Sequence, residues 1–246
     1  MARSSTAARS GENPAAPCAG GVSVWLEYAR LSVELRGLYP ILDLDSLDAR
    51  ALDVLAYARA VLAAGPKVIQ LRAKSSSARD TLALLRALAP ICQNAGATLF
   101  ANDRPDLALL AGVAGVHVGQ HDLPLAEVRR VGPELLVGVS THTLEQLDQA
   151  LAERPTYVAF GPIFGTPSKA DHEPPVGVAG LAAAHERSAR AGVPLVAIGG
   201  IDLARAPSVA AHAEAAAVIG ALLPGGAGLE GVTSAAHALA QALSTR

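Results

Sequence analysis

Two aspartates, nineteen positions apart, are the residues of this sequence best placed to do chemistry. Asp103 follows the apolar run LFAN, and Asp122 follows the apolar run GVHVG. Two carboxylates could work as an acid–base pair, as in glycoside hydrolysis. They could also hold Mg²⁺, which takes one or two carboxylates together with waters and phosphate oxygens. Alternatively, Asp103 could cap the helix that starts at Arg104-Pro105.

Polar side chains at the end of another apolar run favour the metal over the acid–base pair. In QLRAK, strand alternation places Gln70, Arg72 and Lys74 on one face. Two cations in a buried pocket need an anion. The anion could be one of the aspartates Asp103, Asp122 and Asp43, or a diphosphate, which an arginine can bind through two hydrogen bonds. A carbohydrate site would need stacking aromatic residues, which make up only 3% of the chain.

Two further runs end in residues that could bind or transfer protons. Asn102 ends the run before Asp103, and Ser140 ends GVS, where its hydroxyl could donate to a phosphate or to a ring nitrogen. His142 could be a general acid or base, or an exposed residue at the start of a helix. His117 lies within a predicted strand, where a packed, hydrogen-bonded core histidine is expected.

The last strand ends offer short donors and backbone amides that suit a phosphate. The loop 165–176 is rich in Gly, Pro and charged residues and is interpreted as a lid, with a solvated connector as the alternative. The sequence thus predicts one metal-assisted anion site and one amide-lined site, and a reaction between two phosphorylated small molecules. The residues of the second site are Thr166, Ser168, Lys169, Gly199, Gly200, Ile219 and Gly220.

The elements that must position these residues alternate regularly. Continuous apolar runs begin near residues 38, 67, 98, 115, 135, 156, 194 and 215, and a helical segment follows each run. The first of these segments, residues 47–65, is predicted to form one helix that ends on Gly65. Strands of this kind are buried on both faces, and alternation with helices implies parallel pairing. The pattern predicts the α/β class and a (β/α)₈ TIM barrel, whose active sites lie at the carboxyl ends of the strands. An open doubly wound sheet is the alternative, but no glycine-rich turn follows the first strand.

The remaining sequence features set the limits of the domain. The composition of residues 1–24 predicts a disordered tail. A short helix is predicted over Trp25–Gly37, and a single domain over residues 25–246. Low aromatic content predicts an aliphatic core, and Cys18 and Cys92 are predicted to be reduced thiols. The net charge of −2 argues against nucleic acid, and no apolar run approaches the ~20 residues of a membrane span. We expect a cytoplasmic protein with small-molecule partners, either alone or as a homo-oligomer.

Six segments in order resemble the thiamine phosphate synthase family: QLRAK, NDRPDLAL, GVHVGQHDLP, VGVSTHT, GPIFGTPSK and AIGGI. The resemblance runs from residue 38 to residue 223. It implies a TIM barrel that joins 4-amino-2-methyl-5-hydroxymethylpyrimidine diphosphate to a thiazole phosphate, giving thiamine phosphate and diphosphate. Diphosphate would leave from the pyrimidine methylene to give a stabilised carbocation, which the thiazole nitrogen attacks. Asp103 and Asp122 would hold Mg²⁺.

Motif matching also implies the other roles. The resemblance places Arg72, Lys74, Ser140 and Lys169 at the chemical step. The pyrimidine diphosphate would bind to Gln70, Arg72, Lys74, Asn102, Ser140 and Lys169. The thiazole phosphate would bind to Thr166, Ser168, Gly199, Gly200, Ile219 and Gly220. The sequence departs from the family pattern in the run PSK, which replaces a frequent TTK or TSK-like run, and at three single positions, with Ala73 and His121 at usual glutamates and Gly220 at a usual serine. The last change loses one side-chain hydrogen bond, worth ~1 kcal/mol.

Two rival functions fit the same barrel. The related thiazole tautomerase isomerises the thiazole phosphate with a histidine after the fifth strand, where His142 stands, and needs no metal. A non-catalytic barrel that binds thiamine phosphate would keep the second site without needing both aspartates. Retention of Lys74, Asp122 and Lys169 favours the synthase.

Overall fold

The computed structural model describes residues 33–165, 174–225 and 228–244. Within these ranges, eight parallel strands close into a barrel in sequence order, with β1 hydrogen-bonded to both β2 and β8. This confirms the predicted TIM barrel. The strands are β1 Gly37–Asp43, β2 Val68–Arg72, β3 Thr98–Asn102, β4 Gly115–Val118, β5 Leu136–Thr141, β6 Tyr157–Phe160, β7 Leu195–Ile198 and β8 Ala215–Val218.

Helices follow the strands on the outside of the barrel. The segment 47–65, predicted as one helix, is two, because Ala51 takes a positive φ of 52° and the Asp53 carboxylate caps a new helix by accepting from the Ala56 amide at 2.8 Å. The helices are α1 Leu44–Asp48, α2 Val54–Leu62, α3 Ala78–Asn94, α4 Pro105–Ala111, α5 Leu125–Val131, α6 Leu144–Ala152, α7 Gly177–Ala191, α8 Ala206–Ala210 and α9 Gly228–Leu243, with a 3₁₀ turn at Gly220–Leu222.

The chain before β1 differs from the prediction where it can be compared. Residues 33–36 carry no helix, and Gly37 is the first residue of β1, so the end of the predicted helix Trp25–Gly37 is wrong. The rest of that helix and the predicted tail, residues 1–24, lie outside the described residues. Among the helices that the structure describes, none is long and apolar enough to cross a membrane.

The layer between strands and helices is aliphatic, as the composition predicts. Leu47, Leu85 and Leu88 are fully buried there with Leu, Val, Ile or Ala side chains from every strand and with two aromatic side chains. Cys92 is a free thiol in the same layer, and burial raises its pKa to about 12. Cys18 lies outside the described residues. This layer is what holds the strand ends in place.

The barrel interior departs from the expectation of an aliphatic core. Tyr39, Phe100 and Tyr157 occupy it, and the Tyr157 ring meets the other two edge-on, with centroids 5.9 Å and 5.5 Å away. Glycines on neighbouring strands make the room. A Cβ at Gly115 would lie 2.4 Å from the Phe100 ring, and one at Gly138 would lie 2.1 Å from the Tyr157 ring. Three aromatic residues of the described chain are thus grouped beneath the mouth.

Candidate active site

The ends of β1 and β2 bring together an arginine and a buried aspartate. Asp43 and Arg72 are paired in register, and the Arg72 guanidinium makes an ion pair with the Asp43 carboxylate. The same carboxylate accepts from the Ser46 amide at 3.1 Å and from the Ser46 hydroxyl at 2.5 Å. Asp43 is only 3% exposed, so its charge is compensated locally. One of the three aspartates that the sequence offered as alternative partners therefore holds Arg72 at the mouth.

The two aspartates Asp103 and Asp122 meet at the ends of β3 and β4. Asp122 lies in a turn beyond β4, and its Oδ2 accepts from the Gly119 amide at 2.7 Å, which turns the carboxylate back towards the barrel. Asp103 immediately follows β3, and its Oδ2 accepts from Lys74 Nζ at 2.8 Å. The two carboxyl groups are close enough to interact by hydrogen bonding and by charge. The structure thus brings these three predicted site residues together.

The charge of this cluster is not balanced by its own residues. Burial raises the pKa of the Asp103 carboxyl above its ordinary range; Lys74 lowers this pKa, and the neighbouring Asp122 carboxylate raises it further. The balance lies on the raised side, so ionising both carboxylates is unfavourable in the protein alone. A cation between them would relieve this.

The backbone at Asp103 argues against the helix-cap alternative. The N-cap of α4 is Arg104, which makes no side-chain capping hydrogen bond. Asp103 itself has a φ of 63°, a left-handed conformation that costs energy for a residue other than glycine. Its amide donates to the His117 carbonyl at 2.8 Å. Strained backbone of this kind is concentrated at functional sites, where it aims a side chain.

A chain of hydrogen bonds crosses the barrel interior below the carboxylates. It joins Gln70, Tyr39, Tyr157, His117 and Ser140, from strands β2, β1, β6, β4 and β5. His117 is the packed, hydrogen-bonded core histidine that the sequence predicts. The two tyrosines were missed, although a tyrosine within a buried apolar strand must place its hydroxyl against a polar partner.

His142, the residue with two predicted alternatives, is tied to the end of β6. Its Nδ1 lies 2.6 Å from the Gly161 carbonyl oxygen, and its amide donates to Gln146 Oε1 at 2.7 Å. A carbonyl only accepts, so Nδ1 carries the proton and Nε2 is the basic nitrogen of the neutral ring. His142 is half-buried rather than fully exposed.

The second predicted anion site is built from backbone at the ends of β6 and β7. Gly199 and Gly200 have φ values of 102° and 62°, and the chain after β6 crosses directly over them. A Cβ at Gly200 would lie 2.5 Å from the Gly165 carbonyl oxygen. The Phe164 amide donates to the Gly199 carbonyl at 3.0 Å. These glycines are therefore required by a close approach of two backbone segments.

The end of β8 completes that side only in part. Ile219 is 9% exposed within the interior, and Gly220 begins the 3₁₀ turn. Residues 166–173 of the predicted lid lie outside the described residues, and with them Thr166, Ser168 and Lys169. Asn102, at the end of β3 beside Asp103, is half-buried and paired in register with His117.

The donor set fits Mg²⁺ better than a transition metal. No group of three or more His, Cys, Asp or Glu side chains suited to a metal occurs among the described residues. Two carboxylates with space for water and for phosphate oxygens match the demands of a hard, octahedral cation. The raised pKa of Asp103 is the structural observation that supports this fit.

Comparison with known proteins places the chain. The family model of thiamine monophosphate synthase matches residues 38–222. The thiamine-phosphate synthase of Roseiflexus sp. (strain RS-1) is 46% identical over 213 residues, which cover 85% of this chain and 87% of that protein. The thiamine-phosphate synthase of Methanocella arvoryzae is 42% identical over 189 residues, 76% of this chain and 86% of that protein.

Solved structures agree with the family model. The thiamine phosphate pyrophosphorylase from Pyrococcus furiosus superposes with a TM-score of 0.73 at 27% identity and covers 87% of this chain and 98% of its own. A 3-hexulose-6-phosphate synthase, 20% identical with a TM-score of 0.61 over 85% of this chain and 100% of its own, shares the fold alone. The chain belongs to the thiamine monophosphate synthase family.

Proposed function

We propose that this chain is a thiamine-phosphate synthase, a transferase of thiamine biosynthesis. It joins 4-amino-2-methyl-5-hydroxymethylpyrimidine diphosphate to a thiazole phosphate and releases diphosphate. The observation that carries the proposal is the meeting of Asp103, Asp122 and Lys74 at one mouth, with Arg72 held beside them. Two carboxylates and two cations together suit a metal-bound diphosphate.

The reaction needs charge compensation and positioning more than a reactive side chain. The bond between the pyrimidine methylene carbon and the diphosphate oxygen breaks, and the oxygen keeps the electron pair. The thiazole nitrogen then gives its lone pair to the methylene carbon. No protein nucleophile takes part, so the rate depends on holding the two reactants in line and on stabilising the leaving group.

The residues divide these tasks. Arg72 and Lys74 neutralise the departing diphosphate from one side, and Ser140 donates a hydrogen bond to the pyrimidine diphosphate. Asp103 and Asp122 would hold Mg²⁺, which supplies positive charge to the diphosphate oxygens when bound. Gln70 and Asn102 border the pyrimidine. Lys169, Thr166 and Ser168 keep the roles that the resemblance implies, as predictions.

The glycine side receives the second reactant. Gly199, Gly200, Ile219 and Gly220 line the mouth opposite the carboxylates, where TIM barrels commonly bind phosphate through backbone amides. We assign the thiazole phosphate to this side. The opposite assignment would put a monophosphate against two cations and a metal, and leave the more highly charged diphosphate to backbone groups alone.

The thiazole tautomerase is the second candidate, and one observation favours it. The contact of His142 Nδ1 with the Gly161 carbonyl leaves Nε2 as a base. That reaction would not need the Asp103–Asp122 pair, which has no other evident role at the mouth. Cytoplasmic location and oligomeric state stay predictions of the sequence.

An assay of diphosphate release from the purified chain tests the proposal. With both substrates and Mg²⁺, release should be rapid, and EDTA should stop it. His142→Ala should leave release largely unchanged. Isomerisation of the thiazole phosphate that persists in EDTA and is lost in His142→Ala would support the tautomerase instead. Binding of both substrates without turnover would support the non-catalytic barrel.

A further inference from the structure

We propose that the buried chain of Gln70, Tyr39, Tyr157 and His117, here called the interior relay, fixes the proton direction at Ser140. The relay makes the Ser140 hydroxyl a hydrogen-bond donor into the mouth. Tyr39, Tyr157 and His117 are positioning residues, since they act through Ser140. The choice of the pyrimidine diphosphate as the group that receives this bond rests on the proposed function, whereas the proton direction does not.

The relay is continuous. Gln70 Nε2 lies 3.3 Å from the Tyr39 hydroxyl, which lies 2.8 Å from the Tyr157 hydroxyl. The Tyr157 hydroxyl lies 2.8 Å from His117 Nδ1, and His117 Nε2 lies 2.7 Å from Ser140 Oγ. All four distances permit hydrogen bonds, and the three short ones are near the optimum. The relay thus connects the middle of β2 to the mouth at β5.

The donor at one end determines the direction of every bond that follows. An amide nitrogen only donates, so Gln70 Nε2 gives its hydrogen to the Tyr39 oxygen. Among the described residues the Tyr39 hydroxyl has two hydrogen-bond partners, Gln70 Nε2 and the Tyr157 hydroxyl, and since Nε2 cannot accept, Tyr39 donates to Tyr157. Tyr157 therefore gives its own hydrogen to His117 Nδ1. The proton of the neutral His117 ring therefore sits on Nε2.

Ser140 receives the last of these hydrogens and keeps its own. His117 Nε2–H donates to Ser140 Oγ, which then acts as an acceptor below and as a donor above. Ser140 is half-buried at the end of β5, so its remaining hydrogen faces the mouth. Hydrogen bonds in series polarise one another, which strengthens this donor.

Burial prevents the hydrogen bonds of the interior relay from alternating between the two possible proton directions. Gln70 is 2% exposed and His117 is 8% exposed. Burial raises the pKa of both Tyr39 and Tyr157, so their hydroxyls stay protonated. The rings cannot easily turn away, because Tyr157 fills the space left by Gly138. Reversal would need a flipped Gln70 amide and a new position for every proton.

A donor at Ser140 selects an acceptor on the substrate. Ring nitrogens and diphosphate oxygens accept, whereas an exocyclic amino group donates. Ser140 therefore binds a ring nitrogen or an oxygen of the pyrimidine diphosphate and discriminates against a substrate that places an N–H at this point.

The first test reads the His117 tautomer without any substrate. The full chain, which contains seven histidines, is labelled with ¹⁵N-histidine, and His117→Gln identifies the His117 ring signals. We expect protonated Nε2 and unprotonated Nδ1. A proton on Nδ1 would mean that the relay runs in reverse, with Ser140 donating to His117, and would overturn the proposal. This outcome does not depend on whether the chain is a synthase.

The second test removes the middle oxygen of the relay. Tyr157→Phe should lower kcat about tenfold, the loss expected for one oriented hydrogen bond, while KM for the thiazole phosphate stays unchanged. In a Ser140→Ala background the same change should add almost nothing, because its effect passes through Ser140. Tyr57→Phe, a fully buried tyrosine of the outer layer, is the matched control and should keep wild-type kcat.

These outcomes separate the failures. An additional tenfold loss in the Ser140→Ala background would show a structural role and overturn the proposal, as would an unchanged kcat in Tyr157→Phe. A wild-type chain without diphosphate release but with the expected tautomer would reject the proposed function and keep the relay.

Discussion

The two sides of the barrel mouth are built by different means. From β1 to β5 the side chains carry the site, with Arg72 against Asp43 and Lys74 against Asp103. From β6 to β8 the backbone carries it, with Gly199 and Gly200 beneath a crossing segment. The first side fixes the positions of charged side chains by ion pairing, and the second side fixes the path of the backbone. Substitutions should therefore affect chemistry on one side and folding or affinity on the other.

The charged side also has a competition that the backbone side lacks. Both of its cations already have carboxylate partners when no substrate is bound, so an incoming diphosphate must share them. A divalent cation held by Asp103 and Asp122 would free Lys74 for the diphosphate, since the carboxylate that binds Lys74 would then face the metal. The charged side is thus expected to bind its two ligands together.

The largest effect should come from the carboxylates. Asp122→Asn and Asp103→Asn should each lower kcat for diphosphate release about 10³-fold, because loss of the metal removes several kcal/mol of charge stabilisation. Asparagine tolerates the left-handed backbone at position 103. Asp106→Asn, an exposed aspartate paired with Arg104 on α4, is the control and should behave as wild type. Steady-state kinetics measure kcat for these variants. A kcat above a tenth of the wild-type value in Asp103→Asn or Asp122→Asn would show that chemistry does not depend on both carboxylates of the charged side.

Arg72→Lys should have the next largest effect. Lysine keeps the charge but not the planar fork that binds two oxygens at once, so we expect kcat/KM for the pyrimidine diphosphate to fall about 10²-fold. Arg86→Lys, on the outer face of α3, should change nothing. If kcat fell equally in Arg72→Lys and Arg86→Lys, the cause would be a general loss of folded protein and not the loss of the planar fork.

On the backbone side, Gly200→Ala should lower the free energy of unfolding by about 2–3 kcal/mol, as measured by urea denaturation. Two causes add, a positive φ and a Cβ 2.5 Å from a carbonyl oxygen. Gly192→Ala isolates the first cause, because its φ is 67° and nothing lies within 4 Å of the added Cβ. That control should lose only about 1 kcal/mol. If the two variants lost equal free energies of unfolding, the close approach at Gly200 would contribute nothing to stability.

The smallest effect is a pH dependence of stability on the charged side. The pKa of Asp103 is raised above its ordinary value of 3.8, so the folded protein binds this proton more tightly than the unfolded chain does. The contribution of Asp103 to the free energy of unfolding therefore falls as pH rises from 3.8 through the raised value, and stays low above it.

Asp103→Asn should abolish that slope in metal-free protein. Relative to wild type in EDTA, the variant should become more stable as pH rises from about 3.8, and Mg²⁺ should reduce the difference by neutralising the carboxylates. Denaturation curves at a series of pH values give the comparison. A relative stability that does not change with pH would show that Asp103 carries no net charge cost.

The sequence predicted the architecture because its signal is repeated along the chain. Short continuous apolar runs such as LFAN and GVHV, bounded by helical segments, are typical of buried strands, and eight of them in a regular alternation support one another. The break between α1 and α2 was missed, although Asp53 before an apolar run is an ordinary helix-start signal. The end of the helix predicted over Trp25–Gly37 was wrong, because local periodicity does not show that residues 33–36 lead without a helix into β1.

The charged side of the site was easier to predict than the interior. Charged side chains at strand ends are visible as letters, and the barrel rule brings Asp103 and Asp122 together. The order of partners is not visible, since Arg72 could have paired with any neighbouring aspartate. The interior relay depends on which residues face inward across five strands, and on glycines that leave room for Phe100 and Tyr157. No single segment carries that information.

One measurement tests the central claim most directly, namely that two aspartates hold the metal against the diphosphate. Calorimetry would measure Mg²⁺ binding to the full chain with and without inorganic diphosphate. We predict that wild type binds one Mg²⁺ much more tightly when diphosphate is present, and that Asp103→Asn and Asp122→Asn both lose this enhancement. Undiminished, diphosphate-dependent Mg²⁺ binding in the two variants would contradict the account.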